Sequence, residues 1–243
     1  MKSPKRMGGI AALIGAATNL LGLVVYAALL APKGLGSEDA DPGKTVALLA
    51  DNQGAMRAFN QIIFLAFGVS LIFLSLALYE RLNAGSAVLA QAATTFTLIW
   101  AVLVIVVGTL SINDLSTVVK LHGENPAQAA TVWLTLDSVE TGLGAGGGET
   151  LVSAVWFLLL SWAAWRARAL PKLLIYLGVV IGLAGVLSVV LALTALAYVY
   201  GLGLIIWFAW LGIVMLRTSP VPVTQRPATE ASPGDLGLAP RYP

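Results

Sequence analysis

The chain has 243 residues, of which 58% are hydrophobic and only 11% charged, against about 25% charged in ordinary soluble domains. That is too little charge to cover a soluble surface of this size, so much of the surface must face something other than water. A formal net charge of +2 is too small to argue for nucleic acid, and the absence of cysteine removes disulfides, thiolate metal sites, thiol nucleophiles and iron–sulfur clusters.

An apolar run needs about 20 residues to cross roughly 30 Å of hydrocarbon. In chain order the candidates are Gly9 to Leu30, Ala58 to Tyr79, Ser86 to Ile112, Thr150 to Trp165, Leu173 to about Ala197, and about Val199 to Leu216. None of the six contains Asp, Glu, Lys, Arg or His. Hydrocarbon leaves no water for loose backbone groups, so each run should be an α-helix. The reading is an all-α membrane protein with six transmembrane helices in a bundle. The last two runs form one uncharged stretch, and "AYVYGLG" supplies the expected turn, with Tyr198, Tyr200, Gly201 and Gly203.

The charges between runs orient the bundle. Lys2, Lys5 and Arg6 precede the first run, and Arg81 lies between the second and third. Arg166, Arg168 and Lys172 lie between the fourth and fifth, and Arg217 follows the sixth. Of the fourteen basic residues only Lys33, Lys44, Arg57 and Lys120 fall on the other side, among Glu38, Asp39, Asp41, Asp51, Asp114, Glu124, Asp137, Glu140 and Glu149. The positive-inside rule then predicts both termini in the cytoplasm. The first run has a basic start and an "AALLA" end, but its apolar core exceeds the roughly 7–15 residues of a secretory leader, so it reads as a retained span.

The connections carry their own signals. Between the first two runs, a short helix is expected from about Pro42 through "KTVALLADN". The segment from Asn113 to Glu149 is the largest extracytoplasmic loop, and Asn125–Pro126 within it is a helix start. Ala129, Val132, Trp133, Leu136 and Val139 then recur on one face, predicting one amphipathic interfacial helix between spans 3 and 4. Residues 1–217 form the membrane domain. Residues 218–243 carry six prolines and no apolar periodicity, which predicts a disordered cytoplasmic tail.

Two motifs resemble nucleotide sites and fail on context. "DSVETGLGAGGGET" places Gly142, Gly144 and Gly147 in a G-x-G-x-x-G pattern. A dinucleotide fingerprint needs a preceding strand and an acidic residue about 20 positions on. The lead-in reads as helix, and no Asp or Glu occurs from Leu151 to Thr229. The run is therefore read as a flexible break ahead of the fourth span. "DPGKT", residues 41 to 45, lacks the earlier glycine of a P-loop, because that position is Glu38. Neither nucleotide nor nucleic acid is expected as a partner.

The polar groups available for a site are few. Asn19 is on the first span, Asn60 and Gln61 on the second, and Gln91, Thr94, Thr95 and Thr97 on the third. Such groups usually hydrogen-bond between helices; the alternative is that they line a ligand pocket or solute path. Asp137 and Glu140, three apart on one predicted helix, and Glu149 beyond the glycines are cation candidates. His122 reads as a loop histidine. "GVVIG", Gly178 to Gly182, with Gly185, gives the fifth span a small-residue face for close helix contact. Tyr79, Trp165 and Tyr200 fit interfacial aromatic belts. The spans hold no ionisable residue and no set of groups for hydrolysis, so no catalytic residue, metal or cofactor is expected.

Three segments carry a family resemblance. "SPKRMGGIAALIGAATNLLGLV", "VALLADNQGAMRAFNQIIFLAFGVSLIFLSLALYERL" and "WRARALPKLLIYLGVVIGLAG" resemble a group of bacterial six-span membrane proteins catalogued only as a domain of unknown function, the 4386 family. The similarity covers most of residues 3 to 217. That family often has an aromatic and histidine-containing segment before the fourth span, where this chain has "SVETGLGAGGGET". The resemblance implies no activity and no site residues. The expectation is a non-enzymatic structural, interaction or lipid/hydrophobic-ligand-binding protein, with the bilayer and a second copy or another membrane subunit as partners. The alternative is a small-solute or cation transporter or channel using the polar face of spans 1 and 3 and the acidic outer loop.

Overall fold

The computed structural model describes residues 4–33 and 41–217; the proline-rich tail lies outside the described residues. Within them the chain is all-α, without a strand. The helices are α1 (Pro4–Val25), α2 (Pro42–Asp51), α3 (Gln53–Leu82), α4 (Ala87–Glu124), α5 (Pro126–Leu143), α6 (Gly148–Ala167), α7 (Lys172–Val190) and α8 (Thr194–Arg217). Six helical segments are long and apolar enough to cross a membrane, α5 and α6 counting together as one. The exposed faces carry Leu21, Ile62, Leu76, Val102, Leu183 and Ile206, the pattern of a multi-pass membrane protein whose solvent is lipid.

The long helices close into a ring. α1 packs on α3, α3 on α4, α4 on α6, α6 on α7, α7 on α8, and α8 returns to α1. Close contact is set by small residues. Gly178 lies against Ser161 Oγ, and a Cβ on Gly182 would sit 2.7 Å from Leu158 Cγ and 2.9 Å from the Ala154 carbonyl oxygen. Lipid gives no hydrophobic drive for helices to pair, so this backbone approach carries the packing.

α4 corrects one boundary. It does not end near Ile112 but runs 38 residues to Glu124, about 57 Å. The charge pattern changes at Asn113, yet no proline follows until Pro126, and Gly123 falls only in the last turn of the helix. The segment read as loop from Asn113 is therefore helix, and only Asn125 starts a new one, its Oδ1 accepting from the Gln128 amide at 3.2 Å. α5 then returns along α4, packing Ala129, Val132, Trp133 and Leu136 against Val118 and Val46 of α2. Val139, expected on the same apolar face, is exposed. α2 starts within "DPGKT": Asp41 Oδ1 accepts from the Gly43 amide at 2.9 Å, capping the helix.

α5 and α6 form one descending path broken by the glycines, because Ser111 pairs with Glu140 and Trp100 with Glu149 in antiparallel order. The break is tight. A Cβ on Gly147 would overlap the Gly142 carbonyl oxygen, and one on Gly144 would sit 2.9 Å from the Glu140 carbonyl oxygen. The glycines are there for backbone approach rather than for freedom alone.

A second correction concerns the turn between the last two spans. It lies at Leu191–Leu193, and Tyr198, Tyr200, Gly201 and Gly203 are all inside α8. The Leu193 amide donates to Ser188 O at 3.1 Å around Ala192, whose φ is +51°. This is a glycine-type helix stop made by an alanine. Ala192→Gly should therefore raise stability by about 1 kcal/mol, since left-handed backbone costs an L residue roughly that much. A thermal midpoint in detergent that falls on this change would refute the assignment.

Candidate functional site

The interior of the ring is filled at one level by aromatic side chains. Phe67, Trp100, Trp156, Phe157, Trp207 and Phe208 come from α3, α4, α6 and α8, and all are buried. Ring centroids lie 5.4 Å apart for Phe67–Trp100, 5.3 Å for Trp100–Trp156, 4.9 Å for Trp156–Phe157 and 5.0 Å for Phe157–Trp207. Most pairs meet edge to face, the arrangement the ring quadrupoles favour. α1 contributes Ala11, Ala12 and Ala16, small enough to let the rings reach across. Trp207 Nε1 donates to Leu174 O at 3.0 Å, whereas Trp156 Nε1 has no acceptor among the described residues.

On this plug, at the end of the ring where α5 meets α6, sits a cavity of about 250 Å³. Phe67 and Trp100 belong to both plug and cavity wall. The polar wall is Asn19, Glu149, Thr150, Ser188 and Tyr200; Ala145 and Gly146 of the helix break close one side. Glu149 is half-buried in the first turn of α6, where a carboxylate complements the helix N-terminus. Its Oε1 accepts from Trp100 Nε1 at 3.1 Å, and no other hydrogen bond or ion pair holds the carboxylate among the described residues. Tyr200 and Ser153 share a hydrogen bond of 2.5 Å beside it. Asn19 donates through Nδ2 to Gly15 O at 2.8 Å, leaving its side-chain carbonyl for the cavity.

The structure thus brings together one residue from each candidate set, Asn19 and Glu149, and separates the rest. Thr94 and Thr97 donate to Ala90 O and Ala93 O of their own helix at 2.9 and 2.8 Å, and Gln91 is exposed. Gln61 lines a different groove, between α3 and α4 with Phe64 and Gly108, and Asn60 is half-buried outside both. Asp137 is exposed, while Glu140 accepts from Ser111 Oγ at 2.7 Å and faces Asp114 and Asp137. No three His, Cys, Asp or Glu side chains among the described residues converge as a metal set.

Tyr200 is a further correction: it turns inward onto Ser153 and Gly185 rather than outward to a belt. Its hydroxyl finds a partner in Ser153, and Gly185 leaves room for its ring. Trp100, Ser153, Thr150 and Ser188 carried no motif; the only signal was a tryptophan in mid-span, where an indole N–H must find a partner.

Comparison with curated proteins and with solved structures finds no match. A family profile described as a domain of unknown function, DUF4386, matches residues 7–216, from the first helix to the last. The chain belongs to that family.

Proposed function

We propose that the protein is a non-enzymatic ligand-binding protein of the bacterial inner membrane, with both termini in the cytoplasm and the cavity open to the outside. α5 and the outer half of α4 then stand at and beyond the outer membrane surface. The ligand is a small amphiphile, its apolar body on Phe67 and Leu204 and its cationic or hydrogen-bond-donating head on Glu149. The single observation that supports this reading is the Glu149 carboxylate, held by one indole in a mostly apolar cavity with no basic residue on its wall. A carboxylate so placed is completed by a donor from outside the chain. The aromatic floor adds attraction for a cationic head.

The transport reading keeps one observation in its favour, that Asn19 faces the cavity. Against it stand the buried aromatic plug and the self-bonded threonines. Native mass spectrometry on protein released gently from its own membranes tests the binding reading. Wild type should carry a discrete small-molecule adduct, and Glu149→Gln should reduce its retention about ten- to hundredfold, the worth of a hydrogen bond to a charged group. An adduct retained equally by both proteins, or no adduct in wild type, would sink the proposal.

A further inference from the structure

At the opposite end of the ring, the α6–α7 turn forms a groove of about 570 Å³ lined by Trp165, Arg168, Leu170, Pro171, Lys172 and Ile175. Arg168 and Lys172 are exposed there, and neither is ion-paired among the described residues. Arg81 Nε donates to Ala169 O at 3.0 Å, fixing the turn to α3. No Asp or Glu occurs from Leu151 to Thr229, and Glu80 on α3 is the one carboxylate the described helix ends present here, against Arg6, Arg81, Arg166, Arg168, Lys172 and Arg217.

Three further features match the groove to a lipid. Trp162, Trp165 and Tyr176 are each about half exposed. Trp165 and Tyr176 meet edge to face at 5.7 Å across the α6–α7 seam, and the Arg166 guanidinium lies 5.8 Å over the Trp162 ring. Rings that are apolar on the body and wet at the edge mark the headgroup level of a bilayer. Arg168 occupies a left-handed position, φ +50°, after α6, where glycine would fit without strain. An arginine held there at a conformational cost has a use for its charge. Pro171 precedes α7 as its cap residue and offers no side-chain acceptor, so the first amides of α7 lack one beside the two cations.

We propose that this groove binds the phosphate headgroup of one anionic phospholipid, Arg168 and Lys172 contacting the phosphate and Trp165 and Tyr176 flanking the upper acyl chains. Basic pockets between membrane helices recognise anionic headgroups by this combination of charge and aromatic rim. The site stands at the other end of the bundle from Glu149 and does not depend on the reading of that cavity.

The test compares wild type with an Arg168→Gly/Lys172→Gln double variant, in detergent with added phosphatidylglycerol or phosphatidylcholine. Wild type should show a higher thermal midpoint with phosphatidylglycerol than with phosphatidylcholine, and should retain one phosphatidylglycerol in native mass spectra. The double variant should lose that selective shift and retain the lipid about tenfold less or worse. Its lipid-free midpoint should equal or exceed that of wild type, because Arg168→Gly relieves the left-handed backbone. Lys172→Gln alone, at an exposed position, should give an intermediate loss, and Arg217→Gln, at the same end but off the groove, none. Equal response to the two lipids, or unchanged retention by the double variant, overturns the proposal. If inorganic phosphate alone reproduces the shift, the groove takes free phosphate and the lipid assignment fails.

Discussion

Gly147→Ala is expected to lower the thermal midpoint by about 9 °C, while Gly142→Ala, in the same glycine run, leaves it unchanged or slightly raised. A methyl on Gly147 would overlap the carbonyl oxygen of Gly142, whereas a methyl on Gly142 meets nothing within 4 Å. The obstacle at Gly147 is backbone, so it cannot be relieved by a rotamer change. The break between α5 and α6 would have to open, dragging Glu149 from Trp100. Overpacking of this kind costs about 3 kcal/mol, and each kcal/mol moves the midpoint of a chain this size by about 3 °C. Gly142 lies in the last turn of α5, where alanine is the better helix former by up to about 1 kcal/mol. Thermal unfolding of both purified variants in one detergent decides the matter. Equal losses would mean that the run serves general flexibility and that the tight geometry is irrelevant.

The contrast also shows how far the sequence could be read. A G-x-G-x-x-G pattern cannot say which of its glycines meets backbone, because that depends on where α5 lands on α4. The six spans were legible because absence of charge is a property of each run alone. The turn at Ala192 was not, since its stop signal is an alanine while Gly201 and Gly203 lie inside α8, Gly203 packing closely on Ile181 and Gly201 bordering the cavity. The length of α4 was hidden for the opposite reason: polarity begins at Asn113, but a helix ends only where hydrogen bonding or sterics end it. In the candidate site, Asn19 and Glu149 stood out as polar groups in or beside apolar runs. Their meeting depends on ring closure by α1 and α8, a tertiary fact with no local signature. Thr94 and Thr97 carry the same composition signal and satisfy themselves on their own helix. Polarity in a span therefore marks a group that needs a partner, and only packing decides whether that partner is backbone, neighbour or ligand.

Trp156→Ala is expected to be the most damaging single change in the plug, lowering stability by about 3 kcal/mol or more. The indole is fully buried and touches Trp100, Phe157, Trp207 and Phe208. Separated helices in lipid already hide apolar surface from water, so little of this loss is hydrophobic transfer. What disappears is dispersion contact with the surrounding rings, because a void beside them supplies no atoms in return. Trp156→Phe should cost far less, about 1 kcal/mol, since the N–H it removes has no acceptor among the described residues and leaving such a donor buried is itself unfavourable. Trp207→Phe should fall between the two, because it gives up the hydrogen bond to Leu174 O. The order of midpoints measured side by side is the check, and Trp156→Phe falling below Trp207→Phe would remove the argument from the unpaired indole. The same variants bear on conduction. Leu71, Leu74, Leu160 and Leu174 are also fully buried, so the ring has packed layers besides the aromatic one. Proteoliposomes carrying Trp156→Ala should therefore hold a cation gradient as wild type does. If they leak, the plug alone closes the path, and the cavity at Glu149 becomes the vestibule of a channel rather than the seat of a ligand.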